Sequence, residues 1–266
     1  MAEEKNATNK LIEESGMITH VKTLSILRKN GWSVLVSPYY YDSISDSIRE
    51  CDLIAEKQFE LKDPFNSSVQ VNIRLFVECK YIKQEVVFWF DKIDREKAIS
   101  NFEKETGLTL AIRYSGDILP EKVHYLSQDL VAKLFSTNSN REDVVYKAMN
   151  QCLHSQINYR RTGMKPIFNE FIKNPGASSH IVQYPVIVCE NFENLIRVNF
   201  DEDSKITTEK LANHFVLETN YGEDYFLIDI VDLNYLEIFL GDFKTEAKEL
   251  INSYAFRQCV SSGNKQ

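Results

Sequence analysis

Two strand-like segments of this chain carry side chains that could together hydrolyse a phosphodiester bond. Asp52 lies in the first segment, and Glu78 and Lys80 end the second in the tripeptide Glu78-Cys79-Lys80. Carboxylate oxygens are the ligands that a hard cation such as Mg²⁺ prefers. A cation held there would polarise a phosphate and lower the pKa of bound water, and a lysine ammonium could orient that water. The residue types therefore indicate metal-assisted hydrolysis, provided that the two segments are neighbours in a sheet.

Position in an alternating pattern separates Lys80 from the other lysines of the chain. An acidic residue two positions before a lysine occurs six times, ending at Lys5, Lys62, Lys80, Lys205, Lys244 and Lys248. Only the pattern at Lys80 ends a long alternating segment, Val71–Lys80, whose other face is wholly apolar. Because side chains alternate along a strand, Glu78 and Lys80 share one face and Cys79 points to the opposite face as a core residue. In the upstream segment Ile48–Ala55, the same alternation places Glu50 on the face of Asp52.

The rest of the sequence alternates between blocks of helix and blocks of strand. Helical spacing and capping signals predict helices over Gly16–Lys29, Ile93–Glu105, Ser127–Phe135, Ser139–Arg161 and Leu233–Tyr254. Period-two patterns predict strands over Trp32–Ser37, Glu85–Phe90, Ile181–Cys189, Leu195–Phe200, Phe215–Thr219 and Phe226–Val231, and a hairpin-type connection over Lys62–Ser68. In the first helix Ser15 is the expected N-cap, and the expected apolar stripe is Met17, Val21, Leu24 and Leu27. The order of these predicted helices and strands indicates a mixed α/β layer protein. We interpret it as one domain over residues 1–266.

Composition and charge limit the class of protein and of partner. Hydrophobic residues make up 43% of the 266 residues and charged residues 26%, which is typical of a folded globular protein. A net charge of −8 excludes a broadly basic nucleic-acid-binding surface, so phosphate contacts must come from a local patch. The best such patch is Arg160, Arg161, Lys165 and Lys173.

Localisation is predicted from the cysteines and the N-terminal residues. Five cysteines without a C-x-x-C spacing indicate reduced thiols in a cytoplasmic compartment. The polar first residues lack a signal-peptide pattern, and no apolar run is long enough to cross a bilayer. We therefore expect a soluble cytoplasmic protein with no membrane partner.

The quoted residues resemble the PD-(D/E)xK, or restriction-endonuclease-like, nuclease superfamily. Asp52 with Glu78-Cys79-Lys80 matches its paired-acid and E-x-K signature. Gly31-Trp32-Ser33-Val34 follows a first helix, Arg49–Ala55 resembles its acid-bearing strand, and Phe76–Lys80 resembles the strand that ends in E-x-K. The resemblance covers about residues 15 to 90 and extends through the helix at 140 to 161. It implies a restriction-endonuclease-like mixed β-sheet flanked by helices, a Mg²⁺ or Mn²⁺ cofactor and DNA cleavage. It carries Asp52 and Glu78 over as metal ligands and Lys80 as the catalytic lysine.

One position of the first helix departs from that superfamily. Many relatives place a glutamate there, facing the site, whereas this chain has Thr19 or His20, with Glu13 and Glu14 before the helix. Candidate accessory residues are His20, Glu50 and Gln151, the last from a polar stripe of Lys147, Gln151 and His154. The five histidines show no metal-ligand spacing, and Asp229 is interpreted as structural.

Two functions remain open at this point. The first is a metal-dependent nuclease acting on DNA or, with less support, on RNA. The second is a nuclease-like module that no longer cuts and binds nucleic acid or a protein partner, a reading favoured by the acidic charge and the missing helix glutamate. A non-nuclease hydrolase acting on a small phosphate ester is a remoter third. The sequence also leaves a monomer and a homodimer open.

Overall fold

A ten-stranded mixed β-sheet forms the centre of the computed structural model. The structure describes residues 12, 15–42, 46–62, 68–106, 124–137, 144–161, 165–168, 178–200, 205–222 and 224–263. Within these, the strands are β1 (Ser33–Val36), β2 (Tyr39–Asp42), β3 (Ser47–Glu50), β4 (Leu53–Lys62), β5 (Ser68–Lys80), β6 (Val86–Lys92), β7 (Leu130–Thr137), β8 (Ser178–Cys189), β9 (Leu195–Phe200), β10 (Ile206–Lys210), β11 (His214–Tyr221) and β12 (Asp224–Asp232).

The order of strands in the large sheet is β1-β4-β5-β8-β12-β11-β7-β6-β9-β10. Strand β5 pairs antiparallel with β4 and parallel with β8, and β8 in turn pairs parallel with β12. The hairpin of β11 and β12 is antiparallel. Strands β2 and β3 form a separate two-stranded antiparallel sheet. Strands β5 and β12 therefore lie in the interior of the sheet, where the side chains on both faces of each strand can be covered by helices.

In the described part of the chain, four α-helices cover the two faces of the sheet. They are α1 (Met17–Lys29), α2 (Arg95–Thr106), α3 (Val144–Arg161) and α4 (Leu236–Gly263), and a short 3-10 helix spans His124–Ser127. One hydrophobic core lies between the sheet and α1, α2 and α4, and the other between the sheet and α3. The predicted mixed α/β class, with a sheet flanked by helices, is confirmed. Among the described residues, no helix is both long enough and apolar enough to span a membrane.

Strand β5 has the alternating faces that its sequence predicts, and it starts three residues earlier than expected. Every residue from Val69 to Cys79 is buried. Its apolar face packs against α1 and α4, whereas its polar face, which carries Arg74 and Glu78, is turned toward α3. Burial on both faces explains why polar side chains of this strand need partners within the protein.

The segment Ile48–Ala55 is not one strand, so that prediction is wrong. Strand β3 ends at Glu50 in the small sheet, and β4 begins at Leu53 in the large one. Between them, the Cys51 N–H donates to Pro38 O (3.1 Å), and the Ser37 N–H donates to Asp52 O (2.9 Å). The backbone at 51 and 52 therefore pairs with the corner between β1 and β2, where Ser37 has a φ of 49°. This pairing breaks the alternation that the sequence suggests.

Two further predictions differ from the structure. Residues 130–137 form strand β7 and not a helix, because they pair with β6 and β11 inside the sheet. Helix α1 buries Thr19, Thr23 and Leu27, while Met17 and Val21 are more than half exposed. Its N-cap is Gly16, and the Ser15 hydroxyl accepts a hydrogen bond from the Met17 N–H (3.3 Å). The predicted capping box at residues 139–142 lies outside the described residues.

A fully buried ion pair joins β4 to β5 on the face that α3 covers. Arg74 Nε donates to Glu56 Oε2 (2.8 Å), and both side chains are 0% exposed. Arg74 also donates from Nη2 to Lys165 O (2.6 Å), and its guanidinium lies over the ring of Tyr159. Burial raises the pKa of Glu56, and Arg74 opposes this effect. The pair therefore depends on both partners being present.

We expect Glu56→Gln to reduce the free energy of unfolding by about 3 kcal/mol, because it leaves a buried guanidinium without its counter-charge. Urea unfolding measures the change. Glu60→Gln on the same strand removes an exposed carboxylate and serves as the matched control. The double variant Glu56→Gln/Arg74→Met should lose less than the sum of the two single variants. A cost for Glu56→Gln no larger than that of Glu60→Gln would contradict this account.

Candidate active site

The register of β4 and β5 brings Asp52 beside Glu78. Leu53 pairs with Val77, so the residue before β4 lies opposite the residue after Val77. The Asp52 N–H donates to Glu78 Oε1 (3.3 Å), and the Cys79 N–H donates to Asp52 Oδ2 (2.8 Å). Each carboxylate is thus fixed by a backbone donor of the other segment. The sequence predicted that Asp52 lies within a strand next to the strand of Glu78. Asp52 instead precedes β4, but β4 and β5 are neighbours, so the two acids still lie together.

Lys80 completes the group because it follows Glu78 by two positions on the same face of β5. Its Nζ lies 2.8 Å from Glu78 Oε2 and 3.6 Å from Asp52 Oδ2. Glu78 is 0% exposed, and the side chains of Lys80 and Asp52 are 18% and 24% exposed. One cationic nitrogen therefore contacts both carboxylates at the edge of the protein interior.

An open cavity of about 490 Å³ lies over this group. It is lined by Ser15, Gly16, Met17, His20, Asp52, Cys79, Lys80, Tyr81 and Val144. The lining residues come from the start of α1, the end of β5 and the start of α3, so the cavity sits where three elements meet. Asp52 and Lys80 face it, whereas Glu78 lies in the interior behind them.

Burial controls the protonation of the group. Desolvation raises the pKa of Glu78 to about 7; Lys80 lowers it, and the Asp52 charge adds to the rise. Burial alone would lower the pKa of Lys80, but the charges of Glu78 and Asp52 raise it above its ordinary value. Lys80 is therefore held as an ammonium, and Glu78 exchanges its proton near neutral pH.

The first turn of α1 forms one wall of the cavity. Gly16 adopts a φ of 74°, and a Cβ at this position would lie 3.4 Å from Cys79 O. Of the two residues expected near the site, Thr19 is fully buried against the sheet and His20 lines the cavity. A histidine thus stands where the resemblance would place a glutamate. Glu13 and Glu14 lie outside the described residues.

The structure does not bring Glu50 or Gln151 to the cavity. Glu50 lies opposite Tyr39 in the small sheet, where its hydrogen bond raises the pKa of that tyrosine. The backbone carbonyl of Gln151 accepts a hydrogen bond from Tyr40 OH (3.3 Å). The predicted polar stripe on α3 is also broken, because His154 is buried, with Nδ1 2.8 Å from Asp42 Oδ2.

The predicted basic patch is partly neutralised by acids. Arg160 contacts Glu105 and lies 3.4 Å from Asp224 Oδ2, and its guanidinium also lies over the ring of Phe226. Lys165 is exposed, Lys173 lies outside the described residues, and nothing is described of the Arg161 side chain. Arg160 is therefore engaged within the protein.

Four cysteines are buried, as free thiols, in the described part of the chain: Cys51, Cys79, Cys152 and Cys189. Burial raises the pKa of each of them. Cys79 points into the core that contains α1, away from Lys80, as the alternation along β5 predicts. These thiols fill the interior and are too weakly ionised to act as nucleophiles.

Sequence reasoning missed a second group of ionisable side chains, formed by His124, His214 and Asp229. His214 and Asp229 belong to the hairpin of β11 and β12. A pairing register for the two predicted strands would have placed His214 and Asp229 on one face of the hairpin. No spacing in the sequence indicates His124.

Comparison of the chain with protein-family models, with curated proteins and with solved structures found no significant match. The geometry of the described residues therefore carries the functional argument.

We expect Glu78→Gln to change how stability depends on pH. The raised pKa means that the folded state binds a proton which the unfolded chain releases near pH 4.5. Ionisation of Glu78 thus lowers the free energy of unfolding as the pH rises through the interval from 4.5 to about 7. Glutamine cannot ionise, so the variant gains stability relative to wild type, by up to about 3 kcal/mol, between about pH 4 and about pH 8.

Urea unfolding at about pH 4 and about pH 8 measures the change in the free energy of unfolding of each protein. Glu60→Gln, which changes an exposed acid of β4, is the control for a general effect of charge. Parallel pH profiles of Glu78→Gln and wild type would show that burial does not control the protonation of Glu78.

Proposed function

We propose that this protein is a metal-dependent nuclease that hydrolyses phosphodiester bonds in DNA, built on a restriction-endonuclease-like sheet. The observation that carries the proposal is the contact of Lys80 Nζ with both Glu78 and Asp52 beside an open cavity. Two carboxylates and an ammonium are groups that suit metal-assisted phosphoryl chemistry. The resemblance of the same residues to the PD-(D/E)xK signature supports this assignment.

The donor set suits Mg²⁺ or Mn²⁺, which Asp52 and Glu78 would hold. All of the donors are carboxylate oxygens, as hard cations prefer. Asp52 lines the cavity, and its contacts with the Cys79 N–H and with Lys80 Nζ both use Oδ2. When bound, the cation would polarise the scissile phosphate and lower the pKa of an attacking water.

Lys80 has two tasks in this proposal. Its contact with Glu78 opposes the effect of burial, and it thereby favours the ionised carboxylate that a metal needs. Its ammonium also faces the cavity, where it can donate a hydrogen bond to a phosphoryl oxygen or orient water. A lysine does this as a compact point charge with three donors. Removal of Lys80 should therefore impair both metal binding and the chemical step.

His20 is the accessory residue that the geometry favours. It lines the same cavity as Asp52 and Lys80, at the start of α1. A histidine there can donate a hydrogen bond to a phosphate oxygen. Glu50 and Gln151 have no comparable position, and we do not assign them a role.

We expect Asp52→Ala and Lys80→Ala each to reduce DNA cleavage by about 100-fold or more, because each removes a group that stabilises the transition state. Plasmid and single-stranded DNA are incubated with Mg²⁺ or Mn²⁺, and the rate of product formation is measured. Single-stranded RNA in parallel separates the two nucleic-acid substrates.

Lys62→Ala and Glu60→Gln are the matched controls for this assay. Glu60-Leu61-Lys62 repeats the acid-x-Lys spacing on β4, but both charged side chains are exposed. These variants should cleave as wild type does. Equal activity in wild type, Asp52→Ala and Lys80→Ala would eliminate the proposal.

A non-cutting module is the second candidate, and two observations favour it. Thr19 and His20 occupy the helix positions where an acid is expected, and Lys80 already balances the two carboxylates. Such a module would bind its partner equally well after Glu78→Gln.

Titration calorimetry with Mg²⁺ and Mn²⁺ distinguishes the two candidates. The nuclease proposal predicts metal binding by wild type and its loss in Glu78→Gln, because glutamine cannot supply a carboxylate. An absence of binding by the folded wild-type protein would favour the non-cutting module.

A further inference from the structure

A second group of metal-binding side chains lies on the other face of the sheet. In the β11–β12 hairpin, Val216 pairs with Asp229 and His214 pairs with Val231. Because alternate residues share a face, His214 and Asp229 both point toward the core that α4 covers. The short 3-10 helix brings His124 over the same point. Three separate elements therefore converge on Asp229.

The two histidines approach the same carboxylate oxygen. His124 Nε2 lies 2.7 Å from Asp229 Oδ1, and His214 Nε2 lies 2.8 Å from it. The three candidate ligand atoms all lie within 4.8 Å of one another. The two imidazole rings are stacked, with centroids 5.7 Å apart. The group thus presents two nitrogens and one oxygen to a common point.

A tyrosine fixes the orientation of the carboxylate. Tyr125 OH donates to Asp229 Oδ2 (3.1 Å), so Oδ1 is the oxygen turned toward the histidines. Asp229 is 0% exposed, while His124 and His214 are 12% and 15% exposed. A hydrogen bond that holds a ligating carboxylate in place is typical of metal sites.

The surroundings favour positive charge at this point. Asp229 Oδ1 contacts Nε2 of both His124 and His214. Glu246 and Asp242 also line the adjacent cavity. Three acids thus surround two imidazoles.

We propose that His124, His214 and Asp229 form a binding site for a divalent transition metal of the Zn²⁺ type. Ligand atoms in a tetrahedral zinc site lie about 2.0 to 2.1 Å from the ion and therefore about 3.3 Å apart. The observed nitrogen–oxygen separations are about half an ångström shorter than this, so small side-chain rotations would admit the ion. Imidazole nitrogens suit Zn²⁺ better than Mg²⁺, which separates this site from the one at Asp52.

The site has room for an exchangeable fourth ligand. A cavity of about 410 Å³ adjoins it, and its lining includes His124, His214, Asp242 and Glu246. Three protein ligands with one open position are typical of catalytic zinc sites, whereas structural sites are closed by four. A water or a small anion would occupy the open position.

The test uses the chain of residues 1–266 after treatment with a chelator. Co²⁺, whose visible spectrum reports tetrahedral coordination, is titrated into the protein and then displaced by Zn²⁺. We expect one ion per chain at this site, and a loss of affinity of about 100-fold or more in His214→Ala and in His124→Ala. Excess Mg²⁺ should not displace the Co²⁺.

His180→Ala and Asp52→Ala are the controls, because they change a histidine of β8 and an acid of the first site. Both should give the tetrahedral Co²⁺ spectrum of wild type, so failure of the nuclease proposal leaves this result unaffected. No tetrahedral Co²⁺ spectrum in wild type, or undiminished binding in both cluster histidine variants, would overturn the proposal.

A measurement on the wild-type protein alone covers the case in which the histidine variants do not fold. Zn²⁺ should protect His124 and His214, and not His180, from modification by diethyl pyrocarbonate, as mapped by mass spectrometry. Equal modification of His124 and His214 with and without Zn²⁺ would overturn the proposal.

Discussion

The carboxylate of Glu78 is the constraint on which the first site depends. Its side chain is excluded from water, and an ionised acid in such a position requires a counter-charge. Lys80 supplies this charge from two residues further along the same strand, and the Asp52 N–H supplies a hydrogen bond. Asp52 is held in turn by the Cys79 N–H. Each group therefore keeps the next in place, and the geometry is fixed before any ligand arrives.

The sheet keeps the two candidate sites apart. Glu78 lies on the face that α3 covers, whereas His214 and Asp229 lie on the face that α4 covers. Both sites contain a fully buried carboxylate balanced by cationic groups. Their donors differ in type, because one set offers oxygens and the other adds two imidazole nitrogens. The two proposed sites therefore differ in the class of cation that their donors suit.

The sequence predicted what depends on alternation, and it did not predict what depends on pairing between distant segments. Strand β5, its two faces and the proximity of Glu78 and Lys80 follow from a period of two. The break at Cys51 and Asp52 could not be predicted, because it depends on hydrogen bonds to Ser37 and Pro38 in another strand. Residues 130–137 were assigned to a helix because local pattern says little about partners in the middle of a sheet. The buried residues of α1 differ from the predicted apolar stripe for a similar reason. Thr19 and Thr23 are buried because the helix packs on the sheet through that face.

The buried thiols give this protein an internal reporter of its own motion. Cys51 and Cys79 adjoin Asp52 and Glu78 in sequence, and both are buried, with exposed fractions of 0% and 5%. Because burial also suppresses their ionisation, an alkylating reagent can modify them efficiently only while the helices packed over this part of the sheet are transiently displaced. The labelling rate of each cysteine, measured by peptide mass spectrometry, would therefore report how often the structure around Asp52 and Glu78 opens. The measurement does not require that the substrate be known.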